Sequence, residues 1–455
     1  MSEAQPSAPT APTGRPRVVV VGCGFGGIEA VRTLSRADVE ITLVDRTNHH
    51  LFQPLLYQVA TAGLSAPAIS APIRHVLRRE TRRGNLTILR AEVTAIDAAA
   101  RTVALDNADP LPYDHLIVAT GSTHSYFGHD EWAPFAPGLK TLADAFDIRA
   151  RVIGAFENAE LASDDDGRAA WMSFVVIGGG PTGVEMAGTM SEIARHTLTA
   201  EFRRIDPSRA RIVLLEGSDR ILGSFEPQLS GRAREQLERL GVEVRTDSKV
   251  TAVDAVGVTF DGPDGRSQLL SARTVIWAAG VAGTALGAEL ARATGAELDR
   301  SGRVVVEADL AVAGHPEIAV VGDLAAARSH GAGDPKPVPG VSPAAKQMGR
   351  AAAANLLRRL RGEATRPFRY ADYGNLATIG RKAAIVELSL PGGRTLRFSG
   401  LSAWLFWLFA HIYFLIGFRN RLIVLVDWAW AYFTYERGAR VVAQPDSAPP
   451  SERSR

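Results

Sequence analysis

The chain has 455 residues, 46% of them apolar and 22% charged, with a formal net charge of +2. That length allows two or three domains with proper cores, and the near-neutral balance argues against a nucleic-acid-binding surface. Cys23 is the only cysteine, which excludes an internal disulfide, a cysteine-based zinc site and a Cys-x-x-Cys redox pair.

Residues Met1 to Arg17 are rich in Pro, Ala, Ser and Thr and carry no apolar signal-peptide core. They predict a disordered tail and a cytoplasmic start. Val18 to Val21 then reads as a buried strand running into Gly22, Gly24 and Gly27, the G-x-G-x-x-G spacing of a dinucleotide-binding turn. The first glycine makes the tight turn and the second lets backbone approach a pyrophosphate. The third lets helix and strand pack closely, and the helix N-terminus supplies amides. Phe25 and Gly26 lie within that loop, and Cys23 reads as a small packing residue there. A helix with Ile28, Val31 and Leu34 on one face precedes a strand from Val39 to Val44. That strand ends on Asp45, where a carboxylate accepts ribose hydroxyls and repels a 2′-phosphate.

The next stretch, RTNHHLFQPLLYQVATAGLS (Arg46 to Ser65), is too apolar and aromatic for a surface loop. His49 and His50 read as solvated, and no partner at ligand spacing supports a metal site. With both glycine motifs (the second is described below), this segment resembles the type II NADH:quinone oxidoreductases, single-chain membrane dehydrogenases that do not pump protons. The resemblance implies an FAD-binding α/β fold with two Rossmann-like domains of the pyridine nucleotide-disulfide reductase kind. A C-terminal membrane-associated helical segment completes it. It also implies that this segment, Gln53 included, covers the flavin.

Short strands follow from Leu86 to Val118, closing on Ala119-Thr120-Gly121, the family's crossover out of the flavin domain. An amphipathic helix opens at Leu142, and SDDDG (Ser163 to Gly167) reads as a polar linker. Phe174 to Met190 carries the second glycine motif: a buried strand, Gly178, Gly180 and Gly183, with Pro181 and Thr182 between them, and a helix from Val184. Glu185 reads as a first-turn residue, either capping that helix or, as the resemblance implies, standing near the flavin and delivering a proton to the quinone. The strand Arg211 to Leu215 ends on Glu216, which suits the two hydroxyls of NADH. Arg220, four residues on, is the group that could accept an NADPH phosphate. A helix from Gln228 to Leu240, a strand from Val242 to Arg245 and VIWAAG (Val275 to Gly280) close the fold, with Trp277 in its core.

The chain returns to the flavin domain at IAVVGD, where the resemblance puts Gly322 and Asp323 on the FAD. A helix from Ser342 to Leu360 follows, with Ser342 as its expected cap and Ala344 near the flavin. The family's first glutamine at this helix start is replaced by Pro343, while Gln347 matches the second and, by resemblance, borders the quinone. YADYGNLATIGRKAAIVE (Tyr370 to Glu387) reads as two strands about a glycine turn. Lys382 there is a solvated loop charge on its own and a quinone-pocket residue by resemblance.

Leu401 to Phe418 is the most apolar stretch, and LIVLVDWAWAYFTYERGAR continues it after Arg419-Asn420-Arg421. A membrane span, a buried core helix, a soluble dimer interface and a helix lying in the bilayer interface compete here. The first segment is short for a span. Its tryptophans beside arginines favour the interfacial helix. The expected division is a tail (1–16), an FAD domain (17–135 and 301–375), an NADH domain (136–300), an anchoring region (376–442) and a second tail (443–455). The implied partners are FAD, NADH, a membrane quinone and a lipid surface at the cytoplasmic face of the inner membrane. No nucleic acid or metal is expected, and the aromatic tail could also support a homodimer. Two rivals remain on the sequence alone: a ferredoxin-type NAD(P)H reductase and a non-enzymatic flavin redox sensor.

Overall fold

The computed structural model describes residues 14–199, 201–331, 333–390 and 394–442. Of the expected tails, residues 1–13 of the first (1–16) and all of the second (443–455) lie outside the described residues. The chain divides into two compact units.

The first unit gathers Met1–His50, Pro72–Ser122 and Ala282–Ala371. Its sheet has the spatial order Ala311–Val312, His315–Val320, His115–Val118, Arg17–Val21, Glu40–Asp45 and Leu86–Arg90. The strands from His315 to Leu86 pair in parallel. Arg17–Val21 sits inside the sheet, so its valines are buried on both faces, and an unbroken β-branched run is what such a position selects. The chain order reverses at this strand, and ligands of open α/β sheets bind at the carboxyl ends beside such a reversal. Helix Phe25–Leu34 leaves the strand there, and helix Ser342–Leu360 crosses it closely. A Cβ on Gly349 would lie 2.1 Å from the Gly26 carbonyl oxygen, so only glycine permits that approach.

The second unit gathers Leu51–Ala71, Thr123–Val281 and the chain from Asp372. Its parallel sheet runs Val242–Arg245, Arg211–Leu215, Ser173–Ile177, Thr274–Trp277. Trp277 is buried with Tyr126, Trp132, Val258 and Phe260, as its sequence position predicted. The region expected to anchor the chain (376–442) belongs to this unit and forms no unit of its own. Its three-stranded antiparallel sheet, Asn375–Gly380, Ala383–Leu390 and Arg394–Ser399, carries helices Leu401–Phe414 and Phe418–Thr434.

Several local expectations are corrected. The SDDDG linker is the start of a helix, Asp165–Trp171, whose cap is the Asp164 side chain accepting from the Gly167 amide at 2.6 Å. Ser342 is the first residue of its helix and not its cap; Val341 holds the cap position and provides no side-chain bond. The helix after the second glycine loop begins at Pro181, so Glu185 stands in its second turn. Proline in the first turn costs nothing there, because its missing N–H has no partner to lose. The apolar tail is two helices, and no helix among the described residues is long and apolar enough to cross a membrane.

Candidate dinucleotide sites and the buried acid

The two glycine loops are built alike. Gly22 and Gly178 hold left-handed φ values of +96° and +109°, which favour glycine. A Cβ on Gly27 would meet the Gly22 carbonyl oxygen at 1.8 Å, and one on Gly183 would meet that of Gly178 at 1.9 Å. Around Gly24 and Gly180, by contrast, a Cβ would find no atom within 4 Å. Neither helix has a side-chain cap on its first turn. Each loop is thus closed by packing at its first and third glycine and open at the second, where a phosphate would meet the helix N-terminus.

A carboxylate is fixed beside each loop by the same pair of contacts. Asp45 accepts from the Cys23 amide at 2.6 Å and from the Thr47 amide and hydroxyl, both at 2.7 Å. Glu216 accepts from the Gly179 amide at 2.6 Å and from the Ser218 amide and hydroxyl at 2.8 and 2.6 Å. Both side chains are therefore oriented by backbone and keep further acceptor capacity for ribose hydroxyls. Arg220 Nη2 donates to the Gly223 carbonyl at 3.2 Å, so part of its fork is already used.

In the first unit, Ser122 Oγ donates to Asp323 at 3.1 Å, and the Thr120 hydroxyl meets that of Thr284 at 2.7 Å. Gly121 and Gly322 both adopt positive φ. Ala344 is fully buried near the start of its helix. The Phe25 ring lies under the Lys346 ammonium, 5.0 Å from its centroid, and meets His50 edge-on.

His50 corrects the expectation of a solvated pair. It is 2% exposed. Its Nδ1 bonds the Cys23 carbonyl at 2.9 Å. A carbonyl only accepts, so Nδ1 carries the hydrogen, and burial pushes the ring's pKa down to about 4 and keeps it neutral. Nε2 is then a buried acceptor without a partner in the protein. A hydroxyl of a bound dinucleotide would satisfy it, and this unpaired acceptor together with the opening over Gly24 fits FAD. No periodicity marks His50 as inward-facing; only its position after the carboxylate-tipped strand could have singled it out.

In the second unit, Gly280 accepts from the Ser125 amide, and a Cβ there would meet Ser125 O and the Phe127 ring at 2.7 Å. Thr182 is exposed at the open loop. Gln53 reaches the Lys140 carbonyl at 3.2 Å. Glu185 is 8% exposed, and burial pushes its carboxyl up to about 8 despite a backbone hydrogen bond at Thr378. Its capping role is excluded by its place in the helix. Nearby, Trp428 Nε1 donates to Gln58 at 2.7 Å and Gln58 donates to the Tyr57 hydroxyl at 2.9 Å. This chain ties the LFQPLLYQ segment to the second tail helix. Lys382 holds a left-handed φ of +60°, and its ammonium lies 5.3 Å from the Tyr432 ring centroid.

Gln347, in the first unit, has both ends of its amide engaged by Ala371, at 3.0 and 2.8 Å. The structure therefore clamps backbone with the side chain that the resemblance assigned to quinone.

A family model described as pyridine nucleotide-disulphide oxidoreductase matches residues 16–349, and one described as the NDH2 C-terminal domain matches 373–435. The chain is 43% identical to the type II NADH:quinone oxidoreductase NdhA of Mycobacterium tuberculosis, over 95% of this chain and 91% of the relative. It is also 43% identical to Ndh of the same organism, covering 94% and 91%. The fold superposes on the structure of NDH2 from Plasmodium falciparum in complex with NADH with a TM-score of 0.82 at 20% identity, covering 94% and 100% of the two chains. On the sulfide:quinone oxidoreductase of Aquifex aeolicus the TM-score is 0.70 at 19% identity, covering 90% and 92%. This chain belongs to the type II NADH:quinone oxidoreductase family.

Proposed function

We propose that this protein is an NADH:quinone oxidoreductase that passes two electrons from NADH to a membrane quinone and pumps no protons. The observation that carries the reading is the duplicated cradle: two glycine loops open at the second glycine, each beside a carboxylate held by the same contacts. FAD, when bound, supplies the redox chemistry by taking a hydride from NADH and releasing electrons to the quinone. In the first unit the helix N-terminus at Gly24 to Gly27 would hold its pyrophosphate, and Asp45 would accept ribose hydroxyls. Thr120, Gly121, Gly322, Asp323 and Ala344 would border the rest of it.

In the second unit Gly178 to Gly183 and Glu216 hold NADH in the same way, and the Glu216 carboxylate repels an added 2′-phosphate. Gly280 lets backbone close on that site, and Gln53 fixes the neighbouring loop. Glu185 holds a proton at neutral pH and gives it to a quinone oxygen as that oxygen gains charge. Lys382 sets a positive charge at the root of the tail helix, and Gln347 acts as a positioning residue through Ala371. The exposed apolar side of the two tail helices rests in a lipid surface, on the side of the membrane where NADH is made. No cysteine pair serves the disulfide chemistry of other members of this fold.

The test is an anaerobic titration and a steady-state assay of the purified protein. The expected results are a yellow holoprotein bleached by NADH, rapid turnover with a soluble quinone analogue and slow turnover with NADPH. A colourless protein, or a flavin that NADH leaves oxidised, would end the reading. A bleached flavin that no quinone reoxidises would turn it into a redox sensor.

A further inference from the structure

A cavity of about 540 Å³ in the first unit lies between helix Ser342–Leu360 and the segment that follows it. Five arginines line it, Arg350, Arg358, Arg361, Arg366 and Arg369, and no acid does. Two carboxylates stand at its margin and are already shared. Glu29 pairs with Arg350 at 2.7 Å and with Arg32 at 2.9 Å. Glu363 pairs with Arg361 at 2.6 Å and with Arg358 at 3.3 Å. Arg366 and Arg369 have no ion-pair partner among the described residues. The lining thus holds more positive charge than its neighbours neutralise, and like charges brought together cost stability unless an anion joins them.

The segment is also held in place. Asn355 exchanges two hydrogen bonds with the Arg366 backbone, both at 2.9 Å. Phe368 is buried, its amide donating to Ala308 and its carbonyl accepting from His330. The Gln347 clamp fixes Ala371 beyond it. A pinned backbone presents the guanidinium forks with little left to order, and planar forks match phosphate oxygens in pairs.

We infer that this groove is a binding site for a phosphate-bearing anion, either free or on a lipid headgroup, separate from the two dinucleotide cradles. The occupant carries at least two anionic oxygens in reach of Arg366 and Arg369, and it needs no adenine or nicotinamide.

The experiment uses the FAD-loaded full chain and the double variant Arg366→Ala/Arg369→Ala, with Arg79→Ala/Arg266→Ala as a control at exposed arginines elsewhere. Calorimetry measures inorganic pyrophosphate binding, and co-sedimentation measures association with phosphatidylcholine vesicles with and without phosphatidylglycerol. The expected result is saturable binding in at least one arm, weakened about tenfold or more in the groove variant and unchanged in the control. Flavin content and NADH oxidation with a soluble quinone should match the parent. Loss in the pyrophosphate arm identifies a free anion, and loss only in the phosphatidylglycerol arm identifies a headgroup. Equal weakening by groove variant and control, or no saturable binding in either arm, overturns the inference.

Discussion

Glu185 is the residue on which the proposed chemistry and the stability of this protein meet. Its carboxyl rises from an ordinary 4.5 to about 8 because burial disfavours the charged form. A group whose folded pKa is raised adds stability that is complete below the unfolded value. That stability drains away as pH climbs through the folded one. The parent should therefore lose stability steadily between about pH 4.5 and about pH 8, while Glu185→Gln, neutral throughout, should not show that loss. In turnover, Glu185→Gln should lower kcat for quinone reduction by roughly 10²-fold and remove an alkaline fall near the same pH. Tyr57 cannot stand in, since burial and the neighbouring acid push its phenol well above its ordinary value. A variant that keeps the full rate and the same pH limb would move the proton source elsewhere. Asp45 and Glu216 were legible in the sequence because the glycine spacing fixes where the next strand ends. The depth of Glu185 and the burial of His50 were not, because each depends on a partner far along the chain. The helix start at Pro181 was read three residues late, at Val184, although proline's own preference for a first turn marked it.

At the scale of elements, the second tail helix is tied down by charge as well as by aromatic packing. Arg437 pairs with Glu192 at 3.1 Å, both side chains nearly buried, and also reaches the Thr61 carbonyl. Glu192 accepts from the Arg381 amide too, while the Arg381 fork bonds the Ala431 and Tyr432 carbonyls near the helix end. Removing one member of such a pair strands the other charge at a cost of about 3–5 kcal/mol. Arg437→Ala should therefore destabilise the protein by that order in chemical denaturation and expose residues 418–434 to protease. Adding Glu192→Gln, which keeps an acceptor for Arg381 but carries no charge, should restore a large part. An Arg437→Ala protein as stable as its parent would show that the pair is not buried in solution. The glycine-loop strands and helices were legible because their periodicity and turn residues are local. Helix Asp165–Trp171 was misread although its signal, a capping Asp164 with acids in the first turn, was present. Strand Arg394–Ser399 has most of its side chains exposed; its pairing with Ala383–Leu390 supplies the reason it exists.

At the scale of the molecule, the tail is apolar on two sides for two reasons. Ala403, Trp407, Ala410 and His411 turn inward, where His411 meets Phe52 edge-on and Trp407 lies against Trp428. Leu405, Phe409, Phe418 and Phe433 turn outward, the last two at 82% and 81% exposure. Composition alone marked the tail as unusual but could not divide its side chains between a core and an outer surface. That division decides how the anchor is tested. Truncation after Gly400 would strip the buried Trp407 and the half-buried Trp428 from the second unit, so lost binding would be confounded with lost folding. The better variant replaces only the outward group, Leu405, Phe409, Phe418 and Phe433, by serine. Large apolar side chains contribute roughly 1.5–3 kcal/mol each when fully buried, so even partial insertion of four predicts a fall in vesicle affinity of about 10²-fold or more. Turnover with a soluble quinone should stay at the parent's rate, while turnover with quinone dissolved in vesicles should drop with the bound fraction. If vesicle binding holds and a dimer dissociates instead, the outward surface belongs to a second copy of the chain, and the quinone must be reached by another route.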